Sequence, residues 1–167
     1  MRKITTVFMA FTALIAISVP ISANADDQTL PEKVRQANDR FNDVEVAISE
    51  GYVPIPCTSG VDGGAMGVHY VNAALIADHV IDIAKPEAVM YEPDADGKLH
   101  LVAAEYITTT GPVDLEDQLF SYSSSPNRYG LPAFYELHVW AWKKNPKGPF
   151  ADMNPDVSCE HHHPTAH

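Results

Sequence analysis

Ala133-Phe134-Tyr135-Glu136-Leu137-His138-Val139-Trp140-Ala141-Trp142-Lys143 is the stretch on which the fold turns. Its length and its aromatic and β-branched content predict a β-strand over 133–143. At period two, Phe134, Glu136, His138, Trp140 and Trp142 share one face. Tyr135, Leu137, Val139 and Ala141 share the other. Both faces are apolar apart from Glu136 and His138, so the strand is expected to be covered on both sides. A carboxylate and an imidazole buried on one face must then be satisfied there. A metal ion, an ion pair or a simple Glu–His hydrogen bond would each do so.

Two further polar residues stand in similar surroundings. Lys98 to Ile107 is a second strand, joined to Ala88–Glu92 by the turn Pro93-Asp94-Ala95-Asp96-Gly97. Glu105 is the one charged residue on its face, beside Leu99, Leu101, Ala103 and Ile107. His69 lies in a short strand, Met66–Val71, two residues after Gly67, whose missing side chain permits close approach. If these strands are neighbours, His69, Glu105, Glu136 and His138 converge. Two imidazoles and two carboxylates suit Zn, Fe, Mn or Cu, with room for a water. The alternatives are a metal-free polar network and a metal-free binding or catalytic pocket. Tyr70, Tyr91, Tyr106, Tyr129, Tyr135 and Trp140 are candidates to line a pocket, although aromatic residues on strands commonly belong to the core.

Upstream, Val34, Ala37, Phe41, Val44 and Ile48 recur at helical spacing and predict one amphipathic helix from about Pro31 to Glu50. Thr29 and Glu32 have capping-box spacing, Pro31 suits a first turn, and Gly51 followed by Pro54 and Pro56 ends the run. Asn72 is placed to cap a helical segment reaching about Ala84. Thr108–Pro132 reads as a long connection with one helical turn near Leu115–Phe120, and long connections of this kind are often functional. The pattern predicts an α+β fold: a mostly antiparallel sheet or small open barrel with the N-terminal amphipathic helix packed against it.

The N-terminus reads as an export signal over residues 1–25. Arg2 and Lys3 precede an apolar run from Val7 to Val19, and Ala23-Asn24-Ala25 supplies small residues for cleavage. The run is shorter than the roughly 20 residues that span a bilayer; an uncleaved anchor is the alternative. Residues 26–159 then form one α+β domain and residues 160–167 a tail. The formal net charge is −11 and becomes more negative by two when Arg2 and Lys3 are removed. Such a charge repels phosphate backbones, so a nucleic-acid partner is not expected. In an exported chain the two cysteines, Cys57 and Cys159, are expected to pair. The tail carries His161, His162, His163 and His167; it is either a loose metal-capturing tract or a solvated terminus. No nucleophile-elbow, phosphate-loop or dinucleotide fingerprint occurs.

From Gly51 to Cys159 the chain resembles a family of uncharacterised secreted bacterial proteins. The resemblance is carried by Gly64-Ala65-Met66-Gly67-Val68-His69-Tyr70 and Pro86-Glu87-Ala88-Val89-Met90-Tyr91-Glu92-Pro93. Asn127-Arg128-Tyr129-Gly130-Leu131-Pro132-Ala133-Phe134-Tyr135-Glu136-Leu137-His138-Val139-Trp140 and Asn154-Pro155-Asp156-Val157-Ser158-Cys159 extend it. It implies no activity. The expected function is therefore a secreted or periplasmic protein that binds a small ligand or divalent metal through the His/Glu set. A metal-dependent enzyme, hydrolytic or oxygen-activating, is the alternative using the same residues. A binding domain with a structural Glu–His network is the third.

Overall fold

The structure is a computed structural model, and it describes residues 28–60, 63–127 and 129–162. The expected export signal at 1–25 and the end of the tail, including His163 and His167, lie outside the described residues. Seven strands build one antiparallel sheet that does not close: β1 (Val53–Pro54), β2 (Thr58–Ser59), β3 (Ala65–Val71), β4 (Ala88–Pro93), β5 (Leu99–Thr108), β8 (Ser121–Ser123) and β9 (Phe134–Val139). The order is β1-β3-β4-β5-β9-β8, and β2 also pairs with β3. A separate hairpin joins β6 (Asp114–Leu115) to β7 (Gln118–Leu119).

Register positions the candidate site. Val71 faces Ala88, Ala88 faces Glu105, and Glu105 faces His138. In the next row His69 faces Met90, which faces Ala103. Partners across a ladder project to the same side, so His69, Glu105 and His138 occupy one face. Gly67 makes the local geometry possible. It has φ +98°, and a Cβ there would lie 2.5 Å from the Tyr91 carbonyl oxygen.

The opposite face buries Tyr70, Val89, Tyr91, Ala104, Tyr106, Leu137 and Val139 under the N-terminal helices. Here the expected single helix is replaced by α1 (Leu30–Asn38), a 3₁₀ turn (Asp39–Asn42) and α2 (Val44–Ser49). Two short polar side chains break it by bonding to backbone locally. Buried Asn38 donates through Nδ2 to the carbonyls of Val34 (3.0 Å) and Ile83 (2.7 Å). The Asp43 carboxylate accepts from the Glu45 N–H at 3.0 Å and caps α2. The break shifts the helical phase. Val34 and Phe41 are fully buried as expected, but Ala47 takes the inward place and Ile48 is 47% exposed. The expected capping interaction at Thr29 is present, with its N–H donating to Glu32 at 2.8 Å.

Three further expectations are corrected. The segment after Asn72 is helical only over α3 (Ala73–Asp78), capped by Asn72 Oδ1, because His79 adopts a left-handed conformation at φ 58°. The region 115–120 is a tight hairpin rather than a helical turn, with Glu116 and Asp117 both at positive φ. Finally, β9 ends at Val139. The Trp140 N–H turns to the Pro149 carbonyl (2.9 Å), and those of Trp142 and Lys143 both reach the Val102 carbonyl (3.2 Å each). Trp142 therefore leaves the face of Glu136 and His138, packs toward the helices, and donates through Nε1 to Asp39 (3.2 Å). The hairpin between β4 and β5 forms as expected, with the Asp94 carboxylate accepting from the N–H groups of Asp96 and Lys98.

The C-terminal segment closes over the site face. Ala65 pairs with Asn154, and Cys57 is disulfide-bonded to Cys159 across a separation of 102 residues. Among the described residues no helix is long and apolar enough to cross a membrane.

Candidate metal centre

His69, Glu105 and His138 are buried to 1% exposure or less. Each offers one ligand atom, and these atoms lie within 4.8 Å of one another. Glu105 stands between the imidazoles. Its Oε2 is 3.4 Å from His69 Nε2, and its Oε1 is 3.4 Å from His138 Nε2. Neighbouring ligands on a tetrahedral ion with bonds near 2.0–2.1 Å are about 3.3–3.4 Å apart. Each imidazole meets that spacing with a different oxygen of Glu105. With one ligand atom from each residue the three lie within 4.8 Å, so closing on one ion takes a small inward shift of the side chains. Among the described His, Cys, Asp and Glu residues this is the group that converges.

Two loop residues reach the same cluster. The Tyr129 hydroxyl donates to Glu105 Oε2, the oxygen facing His69. Its ring meets the His69 imidazole edge-on at 5.9 Å between centroids. Tyr129 sits on a turn organised by Asn127, whose Oδ1 accepts from the N–H groups of Tyr129 (3.2 Å) and Leu131 (3.1 Å). From the C-terminal segment, Asp152 Oδ1 lies 3.3 Å from His138 Nδ1. A carboxylate on Nδ1 favours the tautomer with its proton there, leaving Nε2 as a donor toward an ion.

Of the four residues expected to converge, three do. Glu136 is on the same face and 5% exposed, but its register partners are Ile107 and Ser121, one row beyond His138. Two residues along a strand span about 6.7 Å, and Glu136 is outside the converging set.

Most of the expected pocket aromatics are corrected, and alternation is the reason. Tyr70 follows His69, and Tyr106 follows Glu105, so each projects to the opposite face. Tyr91 reaches that same face beyond a register irregularity in the pairing of β4 with β5. Tyr91 and Tyr106 end on backbone carbonyls, of Phe41 and Ile83 respectively, at 2.8 Å. Burial raises both phenols above the usual tyrosine range. Tyr70 packs on Tyr91 and borders a small cleft shared with His161 and His162. Tyr135 packs against Tyr122. Of this set Trp140 joins Tyr129 on the site side, against Met90 and Ala103; its indole N–H donates to Ala151 at 2.6 Å.

Asp152 carried no signal in the sequence, since it falls in an irregular segment with no period to read. Glu87 was also missed. It is fully buried immediately before β4, and Oε2 accepts from the Ile107 N–H at 2.9 Å. Burial pushes its carboxyl up to about 8, with Asp78 and Glu105 adding to the rise against that hydrogen bond. A charged residue inside Pro86-Glu87-Ala88-Val89-Met90 was the available hint. No family model, curated protein or solved structure matches this chain.

Proposed function

We propose that this is an exported protein that holds one transition-metal ion, of the class Zn, Fe, Mn or Cu, between His69, Glu105 and His138. The observation that carries the reading is the placement of both imidazole Nε2 atoms 3.4 Å from opposite oxygens of one fully buried carboxylate. A buried Glu between two His is costly as a bare cluster, and a cation lowers that cost for all three groups. Export is supported by the leader-like residues 1–25 and by the Cys57–Cys159 disulfide. Burial of the three side chains favours holding an ion over turning over a substrate, because catalytic metal sites keep a position open. Glu136, a row away, is a polar neighbour in this reading.

Titration with Co²⁺ or Zn²⁺ tests the reading, using full-length chain in which the four tail histidines are replaced by alanine. One ion per chain is expected, and His69→Ala or Glu105→Gln should abolish it while circular dichroism stays native. Asp152→Asn should keep the stoichiometry but weaken binding by about 10- to 100-fold, as expected for loss of a group orienting a ligand. Binding that survives His69→Ala and Glu105→Gln unchanged would overturn the assignment.

A further inference from the structure

Tyr129 is set apart from the other tyrosines by where its oxygen ends. Those of Tyr52, Tyr91 and Tyr106 donate to backbone carbonyls away from the cluster. That of Tyr129 enters the cluster and bonds the same Glu105 oxygen that faces His69. Its ring is clamped between His69, at 5.9 Å, and Phe134, at 5.5 Å. The Asn127 turn fixes the backbone that carries it, with Asn127 Nδ2 also donating to the Leu131 carbonyl at 2.8 Å. A hydroxyl in hydrogen-bond contact with one ligand oxygen needs only a small shift to share an ion with it.

We infer that Tyr129 is a fourth protein ligand, and that the completed His₂–Glu–Tyr set selects a hard, strongly polarising ion, ferric iron, over softer divalent ions. The inference rests on the metal-binding reading above and narrows it. Two imidazoles and a carboxylate accommodate several first-row ions. A phenolate oxygen is a hard, anionic donor, and with Glu105 it brings two negative charges to a site whose other three side chains are buried. Such charge density is matched best by a trivalent cation, since buried charge is tolerated only when compensated. On binding, the Tyr129 O–H bond breaks, an O–Fe bond forms, and the proton leaves to solvent. No electrons are transferred. Because Tyr129 is partly exposed while the other three ligands are buried, its turn is also the side from which an ion enters.

The test uses the full-length chain with its tail histidines replaced, titrated separately with Co²⁺ and with Fe³⁺ supplied as its nitrilotriacetate complex. Ferric phenolate absorbs in the visible through charge transfer from the ring, whereas ferric bound to His and carboxylate alone lacks that band. The wild-type residue should give a visible band saturating at one Fe³⁺ per chain. Tyr129→Phe should lose the band and bind Fe³⁺ at least about tenfold more weakly, while Co²⁺ affinity changes by no more than a few-fold. Retained Co²⁺ binding in the variant also reports that its site is folded. A colourless ferric complex, or a band that survives Tyr129→Phe, overturns the inference and leaves the metal-binding reading standing. Failure to bind either ion removes both.

Discussion

At the residue scale, the molecule concentrates its unusual chemistry in carboxylates. Glu105 is buried among imidazole nitrogens and a phenol, whereas Glu87 is buried with little compensation. Its Oε1 has no hydrogen-bond partner among the described residues. Glu87 thus folds preferentially with its proton on. Its carboxyl titrates near the ordinary 4.5 in the unfolded chain and at about 8 in the folded one. Between those values the folded state binds the extra proton, so this group's contribution is full below the unfolded value and is lost as pH rises through about 8. The loss is at most about 1.4 kcal/mol per pH unit. Urea unfolding at pH 5, 6, 7 and 8, with chelator present, should show wild-type stability falling across this window. Glu87→Gln keeps an acceptor for the Ile107 N–H and should flatten that fall. Parallel pH profiles for the two proteins would show that Glu87 is not the source.

At the scale of elements, each face of the sheet does a different task. The helical face is a packed core, and its keystone is Phe41, fully buried in the 3₁₀ turn and edge-on to Tyr52 at 5.2 Å. The Phe41 carbonyl also accepts the Tyr91 hydroxyl, tying the helices to β4. Phe41→Ala should cost about 3–5 kcal/mol, read from the urea midpoint. Ile48→Ala on α2 should cost well under 1 kcal/mol, because that side chain is 47% exposed. The pair of values separates this broken-helix arrangement from a continuous amphipathic helix, in which both would be core. Equal losses at the two positions would contradict the observed phase. The site face, by contrast, is finished by segments without regular structure: the Asn127 turn and the stretch around Asp152.

For the whole molecule, the disulfide and the Ala65–Asn154 bridge together hold the C-terminal segment over the site face. A crosslink closing a loop of 102 residues constrains the unfolded chain by about 4–5 kcal/mol in the chain-entropy treatment. Thiol titration of denatured, unreduced protein should find no free thiol, and reduction should lower the urea midpoint accordingly. An unchanged midpoint would mean that the apolar contacts of Val157 and Met153 hold the segment unaided. Near-neighbour chemistry made much of this legible in the amino-acid sequence. Alternation placed Glu136 and His138 on one face, a lone acid on an apolar strand marked Glu105, Gly67 marked His69, and two cysteines in a chain expected to be exported marked their own pairing. Tyr70 and Tyr106 were expected as pocket candidates, and the structure sets them on the opposite face, since neighbours on a strand face opposite ways. Tertiary structure alone decided the rest. Strand register is set by burial and turns distributed over the whole sheet, and it put Glu105, not Ile107, opposite His138, leaving Glu136 a row away. Tyr129 and Asp152 come from irregular segments with no period to read, and only the folded chain brings them to the cluster.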